Sequence, residues 1–420
     1  MLDIQKKLSN LFYSLLSLPA TAMGFALCVQ ISALSWIMRT QYHLSIEEVG
    51  WVWLSGPLAG IIGQLLVGVI SDQVWFLNGR RRPFILIGGT IAALMLLCLP
   101  NLDKISASLG ITNMMITALF VALTLDLAIN ISFNPTRSLI ADVTPEGEAR
   151  TKGYTWMQTI SGFFGVAAYF IGAQWGNYTL IYIGVAVVLL LSVVPTFFIT
   201  EPRHLTPNIT PDKPAAKTRT TQTDELWKIY LAHGFTWLGV QTMFVFIFAF
   251  IEQKMNLPNP DDIGKVISYS FLIMNTVGFL LPLWVLTPIT QKIGRVRTHT
   301  ICVALMAVAY LGIVIMGHTP GTLYILMLLV GIGWGAVVSI PFAIFTDKIN
   351  QEKMGLYMGI FNLSVVIPQV IVSGIFGKII GLSADKNIVF IISCIALTLS
   401  TLLWVSVKEA LPIGKTPPNN

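Results

Sequence analysis

Residues 153–200 read GYTWMQTISGFFGVAAYFIGAQWGNYTLIYIGVAVVLLLSVVPTFFIT, 48 residues without one Asp, Glu, Lys or Arg. A helix crosses the ~30 Å hydrocarbon core of a bilayer with about 20 apolar residues. The stretch is therefore too long for one span and long enough for two, with Gly176-Asn177 supplying the turn. The whole chain agrees: 55% of its 420 residues are hydrophobic and 11% charged, where soluble chains carry about 25% charged residues. Working outward, uncharged blocks recur at 8–38, 49–71, 83–102 and 105–125, one span each. Beyond residue 225 they resume at 229–251, 266–291, 298–346, 354–377 and 387–407. The block 298–346 holds Gly317-His318-Thr319-Pro320-Gly321 near its middle and counts as two. The expectation is an all-α membrane protein of twelve transmembrane helices, six in each half.

Between the halves lies a polar stretch, 201–225, with Pro202, Pro207, Pro211 and Pro214 among basic residues. Prolines at that density prevent a continuous helix, so the reading is an N-terminal bundle over 8–200, a cytoplasmic linker over 201–225 and a C-terminal bundle over 226–408. With the N-terminus in the cytoplasm, only Arg39, Lys104, Lys254, Lys265, Lys378 and Lys386 of the 26 Lys and Arg fall on the far side. That asymmetry is the positive-inside pattern. It places both termini in the cytoplasm of a plasma membrane, bacterial inner membrane by expectation. The net charge of +6 thus reports topology and membrane lipid, not a nucleic-acid partner. The first segment reads as an anchor rather than a cleaved signal. Cys28, Cys98, Cys302 and Cys394 all fall within spans and read as small core residues.

The halves echo one another. Asn134-Pro135-Thr136-Arg137-Ser138-Leu139-Ile140-Ala141-Asp142, then Gly153-Tyr154, parallels Ile340-Pro341-Phe342-Ala343-Ile344-Phe345-Thr346-Asp347, then Gly355-Leu356-Tyr357. The loop Gly79-Arg80-Arg81-Arg82-Pro83 parallels Gly294-Arg295-Val296-Arg297. Six-plus-six repeats of this kind describe the major facilitator fold, with two pseudo-symmetric bundles around a central site. In the basic loop, Arg81 and Arg82 can bridge Asp72 or Asp142 and the C-terminal ends of nearby helices. These four residues are gating candidates; the alternative is that the arginines only anchor the membrane side by snorkelling.

Asp126 stands about 20 apolar residues into the fourth span, where a carboxylate facing lipid costs several kcal/mol. It must face protein or water, as a proton-coupling group or as a permanent polar tie between helices. Arg137, eleven positions on, completes three helical turns, so both fall on one side of the helix with Asn130 and Phe133 or Asn134 between them. Arg137 can bind, gate or snorkel. Gln30, Gln64, Gln158, Gln241 and Asn362 are amides within spans, able to hydrogen-bond sugar hydroxyls or to join helices. Trp237 offers a flat face for stacking. His233, near the start of the seventh span, suits an interfacial role as well as proton transfer. No P-loop, dinucleotide fingerprint, nucleophile–base–acid set or metal-ligand cluster is present, so a transporter is expected rather than an enzyme, with no cofactor and no metal.

The segment Leu125-Asp126-Leu127-Ala128-Ile129-Asn130-Ile131-Ser132-Phe133-Asn134-Pro135-Thr136-Arg137 resembles the sugar-cation symporters that include plant sucrose carriers, animal solute carrier family 45 and bacterial maltose-type carriers. Gly56-Pro57-Leu58-Ala59-Gly60 with Gln64, the loop Gly79-Arg80-Arg81-Arg82-Pro83-Phe84, Phe235-Thr236-Trp237, and Lys353-Met354-Gly355-Leu356-Tyr357-Met358-Gly359-Ile360-Phe361-Asn362 with Pro368-Gln369 extend the resemblance over both halves. It implies proton-coupled symport of a small glycoside by a monomer. It also implies that Asp126 couples protons and binds substrate, and that Arg137 is functional. Substrate contacts are expected from Gln30, Gln64, Asp126, Asn130, Phe133, Gln158, Trp237, Gln241 and Asn362. Ile129 and Phe133-Asn134 depart from the plant pattern of Asn and Gln-Gly and resemble the bacterial branch, which sets maltose beside sucrose. The alternatives are a facilitator or exporter of a non-sugar solute, and a non-transporting membrane sensor.

Overall fold

Pro57 decides where the second predicted span breaks. A proline ring collides with the carbonyl four residues back and offers no N–H to the helix. The helix that begins at Ile46 accordingly ends at Trp53, and a new one begins at Ser55. The computed structural model describes residues 2–145, 147–203, 222–349 and 354–409, and within them not the side chains of 64–69, 72, 73, 283 and 354–356. The side chains of Gln64 and Asp72 and most of the 201–225 linker thus lie outside what is described.

The first half comprises α1 (Asp3–Lys6), α2 (Asn10–Thr40), α3 (Ile46–Trp53), α4 (Ser55–Gln73), α5 (Arg82–Cys98), α6 (Leu102–Leu109), α7 (Met114–Val143), α8 (Glu148–Trp175) and α9 (Asn177–Phe198). The second comprises α10 (Thr223–Lys254), α11 (Pro260–Leu281), α12 (Thr287–Ile293), α13 (Arg295–Met316), α14 (Pro320–Thr346), α15 (Met354–Ile371), α16 (Gly377–Leu382) and α17 (Ile388–Val405). The long uncharged blocks split where the sequence predicts. Gly176, at φ +84°, separates α8 from α9. Pro320 opens α14 behind the Thr319 cap, whose hydroxyl accepts from Thr322 N at 3.3 Å. Among the described residues, ten helical stretches are long and apolar enough to cross a membrane. The predicted second and fifth spans, α3–α4 and α8, are helical but stand outside those ten. π-helical turns at Pro282–Leu286 and Val372–Phe376 interrupt the eighth and eleventh predicted spans.

The chain divides into two compact units whose boundaries among the described residues fall inside α10, inside α11, at the end of α15 and between α16 and α17. The first contains Met1–Asn208, Phe244–Leu272 and Val372–Lys386. In it α2 packs on α8 and α9, α5 on α7 and α9, and α4 on α7. Near the basic loop its core is Phe12, Leu16, Ile85, Ile140 and Ile199. At the opposite end it is tied by polar contacts. Ser32, Asn177 and Ser268 hydrogen-bond to one another at 2.6–3.2 Å, Arg39 meets Glu252 at 3.1 Å and Lys254 meets Asp385 at 2.7 Å. The second unit contains Ile209–Met243, Ile273–Ile371 and Asn387–Asn420. There α13 packs on α14 and α17, over a core that includes Ile229, Val296, Phe345, Phe361 and Trp404.

Candidate functional site

Asp126 sits near the middle of the 30-residue helix α7 and is buried, 4% exposed. Its partners come from two other helices of the same unit. Gln30 Nε2, on α2, donates to both carboxylate oxygens at 3.1 Å, and Ser55 Oγ, in the first turn of α4, donates to Oδ2 at 2.6 Å. Gln30 and Ser55 are themselves buried. Ser55 opens α4 just before Pro57, and α4 packs along α7, which brings the hydroxyl to Asp126. Gly56 follows so closely that a Cβ there would lie 3.9 Å from Asp126 Oδ2. No cation joins the carboxylate among the described residues.

The other predicted residues of this helix point to different partners. Asn130 donates to the Asp126 backbone carbonyl at 2.8 Å, one turn back, and packs so tightly on α4 that a Cβ at Gly63 would come within 2.8 Å of it. Arg137 lies over the Phe133 ring, 4.2 Å from its centre, and is exposed. The common helical side inferred from the spacing thus does not join Arg137 to Asp126. Gln158, on α8, is exposed. In the second unit Trp237 and Gln241 lie one turn apart on α10, the first half-buried and the second buried, and Asn362 on α15 is half-buried.

The basic loop forms a second polar assembly. Phe76 and Gly79 exchange backbone hydrogen bonds at 3.1 Å around Leu77 and Asn78, both at positive φ, so the loop is a tight hairpin. Arg81 Nε donates to Asp142 Oδ2 at 2.9 Å and Arg81 Nη1 to Ser71 Oγ at 2.7 Å. Arg82 turns instead to the C-terminal carbonyls of α9, donating to Thr196, Phe197 and Ile199 at 2.7–3.2 Å. Glu201 accepts the backbone N–H groups of Arg80, Arg81 and Arg82 at 2.7–2.8 Å, a carboxylate cap on the start of α5. Gly79 is required beside it, since a Cβ there would collide with the Glu201 side chain.

The second unit repeats the arrangement. Arg295 Nη1 donates to Asp347 at 2.6 Å, and Glu409 accepts the N–H groups of Arg295 and Val296 at 2.9 Å. Gly294, at φ +94°, runs against Glu409 as Gly79 runs against Glu201. Sequence reasoning found the paired Gly-Arg loops and the paired aspartates. It missed Ser55, Glu201 and Glu409. The signal available for the glutamates was their shared place, just after the last apolar block of each half.

Comparison with known proteins follows the same lines. The family model of the Major Facilitator Superfamily matches residues 16–373. A sucrose transport protein of Arabidopsis thaliana is 26% identical over 423 aligned residues, covering 84% of this chain and 81% of that one. A general alpha-glucoside permease of Schizosaccharomyces pombe is 27% identical over 174 residues, 37% of this chain and 31% of that one. The crystal structure of a mutant of the nucleoside transporter NupG superposes with a TM-score of 0.71 at 15% identity, covering 95% of this chain and 100% of that one, which shows the fold. These are transporters and not enzymes. On the family match, with a helical fold carrying ten candidate membrane spans among the described residues, the chain belongs to the Major Facilitator Superfamily.

Proposed function

We propose that this protein carries a small glycoside, a disaccharide such as maltose or sucrose, across a membrane together with a proton, by alternating access. The sugar class is supported by the sucrose transport protein and the alpha-glucoside permease it resembles. The proton is supported by one observation above all: Asp126 is a buried carboxylate held only by neutral donors among the described residues. A charge in that setting is costly, and a proton removes it. The surroundings suit both forms, because a serine hydroxyl can donate to a carboxylate or accept from a carboxylic acid. Sugar hydroxyls would compete for the same donors, which links occupancy to protonation. A membrane potential contributes about 2.3 kcal/mol per charge per 100 mV, enough for roughly fifty-fold accumulation at that voltage.

In the same reading Arg81 and Asp142 belong to a gate at the basic-loop end, Arg82 fixes the loop to α9, and Arg137 serves the substrate path from its seat on Phe133. The protein works as a monomer with both termini in the cytoplasm, in a bacterial inner membrane. Asp126→Asn tests the central claim, since an amide keeps a hydrogen-bonding role but cannot carry a proton. Reconstituted in vesicles with an imposed pH gradient, a monodisperse Asn variant should exchange sugar downhill and fail to concentrate it. Sugar accumulation by that variant, driven by the gradient and lost when it collapses, would place the proton site elsewhere.

A further inference from the structure

Two tryptophans of the second unit have their indole N–H groups consumed by the protein. Trp237 Nε1, on α10, donates to His233 Nε2 at 3.0 Å. Trp334 Nε1, on α14, donates to Asn275 Oδ1, on α11, at 3.2 Å. An indole has one donor and no acceptor, so both ring orientations are set by these bonds. The rings stand nearly perpendicular, at 80° with centres 6.2 Å apart, and both are half-buried. Each is wedged from behind. His233 is 4% exposed and lies face-on to Phe361, at 4.6 Å and 14°. Trp334 fits against α11 only because residue 278 is glycine, where a Cβ would stand 2.8 Å from Trp334 Cδ1.

The histidine is also chemically constrained. Because Trp237 can only donate, His233 must present a lone pair at Nε2, and its single neutral proton is then on Nδ1. That nitrogen is buried without a hydrogen-bond partner. A buried donor left unpaired is unfavourable, so the arrangement holds Trp237 in place at a cost to the histidine. Plain core packing gives no reason for two half-buried indoles to be oriented this way.

We propose that Trp237 and Trp334 form an aromatic corner that holds one ring of the transported glycoside by its C–H faces, with His233 and Asn275 as positioning residues. With both N–H groups taken, the corner offers a ligand π surface, which suits the apolar face of a pyranose and leaves its hydroxyls for amides. The inference rests on the glycoside reading above and names how the second unit contributes to it.

The test uses the purified full chain labelled with 5-fluorotryptophan, its Trp237 resonance assigned through Trp237→Phe, and calorimetric titration with maltose and with sucrose. His233→Leu should shift the Trp237 fluorine resonance and weaken sugar binding about tenfold, as should Trp334→Ala. His233→Gln, whose amide oxygen can accept in place of Nε2, should restore both. A His233→Leu protein with an unmoved resonance, or a moved resonance with unchanged sugar affinity, overturns the corner. Should the wild type bind neither sugar, the glycoside reading falls. Titration with tetramethylammonium then decides whether the corner holds a cation instead, and the Trp237 resonance still reports whether His233 positions the ring.

Discussion

The two basic-loop corners share a plan and differ in depth. In the first unit the side chains of Arg81 and Asp142 are 7% and 11% exposed, and Arg81 is held by Ser71 as well. In the second, Arg295 and Asp347 are 48% and 34% exposed. Glu201 caps three backbone N–H groups, Glu409 two. An ion pair in water is worth little because solvent screens it and long side chains lose freedom in making it. A buried pair carries a large penalty for losing one member, since the other is left charged and dry. The same sequence echo therefore encodes a structural keystone in one half and a loose contact in the other.

The largest expected effect follows directly. Arg81→Ala strands Asp142 in a buried setting and should destabilise the purified protein by about 3 kcal/mol or more, read as a drop in melting temperature by scanning fluorimetry. Arg81→Ala, Asp142→Ala together should recover much of the loss. A single variant as stable as the wild type would show that the depth of the first corner has no energetic consequence.

Glu201→Gln comes next, because it weakens three charge-assisted bonds at once without emptying the space. Its expected cost is about 1–2 kcal/mol, against roughly half that for Glu409→Gln, in the same melting assay. Equal losses would mean that the number of capped N–H groups does not matter. The smallest effect belongs to Arg295→Ala, at most about 1 kcal/mol and fading as salt is raised. A loss matching that of Arg81→Ala, or one indifferent to salt, would erase the distinction between the corners.

These contrasts mark what the sequence could carry. Charge-free blocks and glycine or proline punctuation locate helices directly, because a bilayer demands long apolar segments and tight turns demand particular residues. Gly176 and Pro320 are examples. Pro57 was legible only in part: its ring favours a break before it, yet Pro135 lies within α7 without ending that helix. Ser55 was not legible as a partner of Asp126, because one hydroxyl in an apolar block looks like any residue filling a helix contact. Glu201 was hidden by its surroundings, as it opens a proline-rich stretch that reads as solvated. Arg137 shows the limit of spacing arguments. Three turns of helix aligned it with Asp126, but a side chain that long takes its partner from the nearest ring, and Phe133 is one turn away.

Helix α4 joins the two polar assemblies of the first unit mechanically. Ser55 in its first turn touches Asp126, and Ser71 in its last touches Arg81. At the Asp126 end it meets α3 through the single residue Leu54. Sixteen residues at 1.5 Å each make an arm of about 24 Å between the two serines. Pivoting that arm by about 5° at Leu54 would carry Ser71 sideways by about 2 Å, enough to stretch its 2.7 Å bond from the guanidinium. Any tilt of this helix set by re-pairing at the one carboxylate would therefore be felt, enlarged by leverage, at the far end of the bundle.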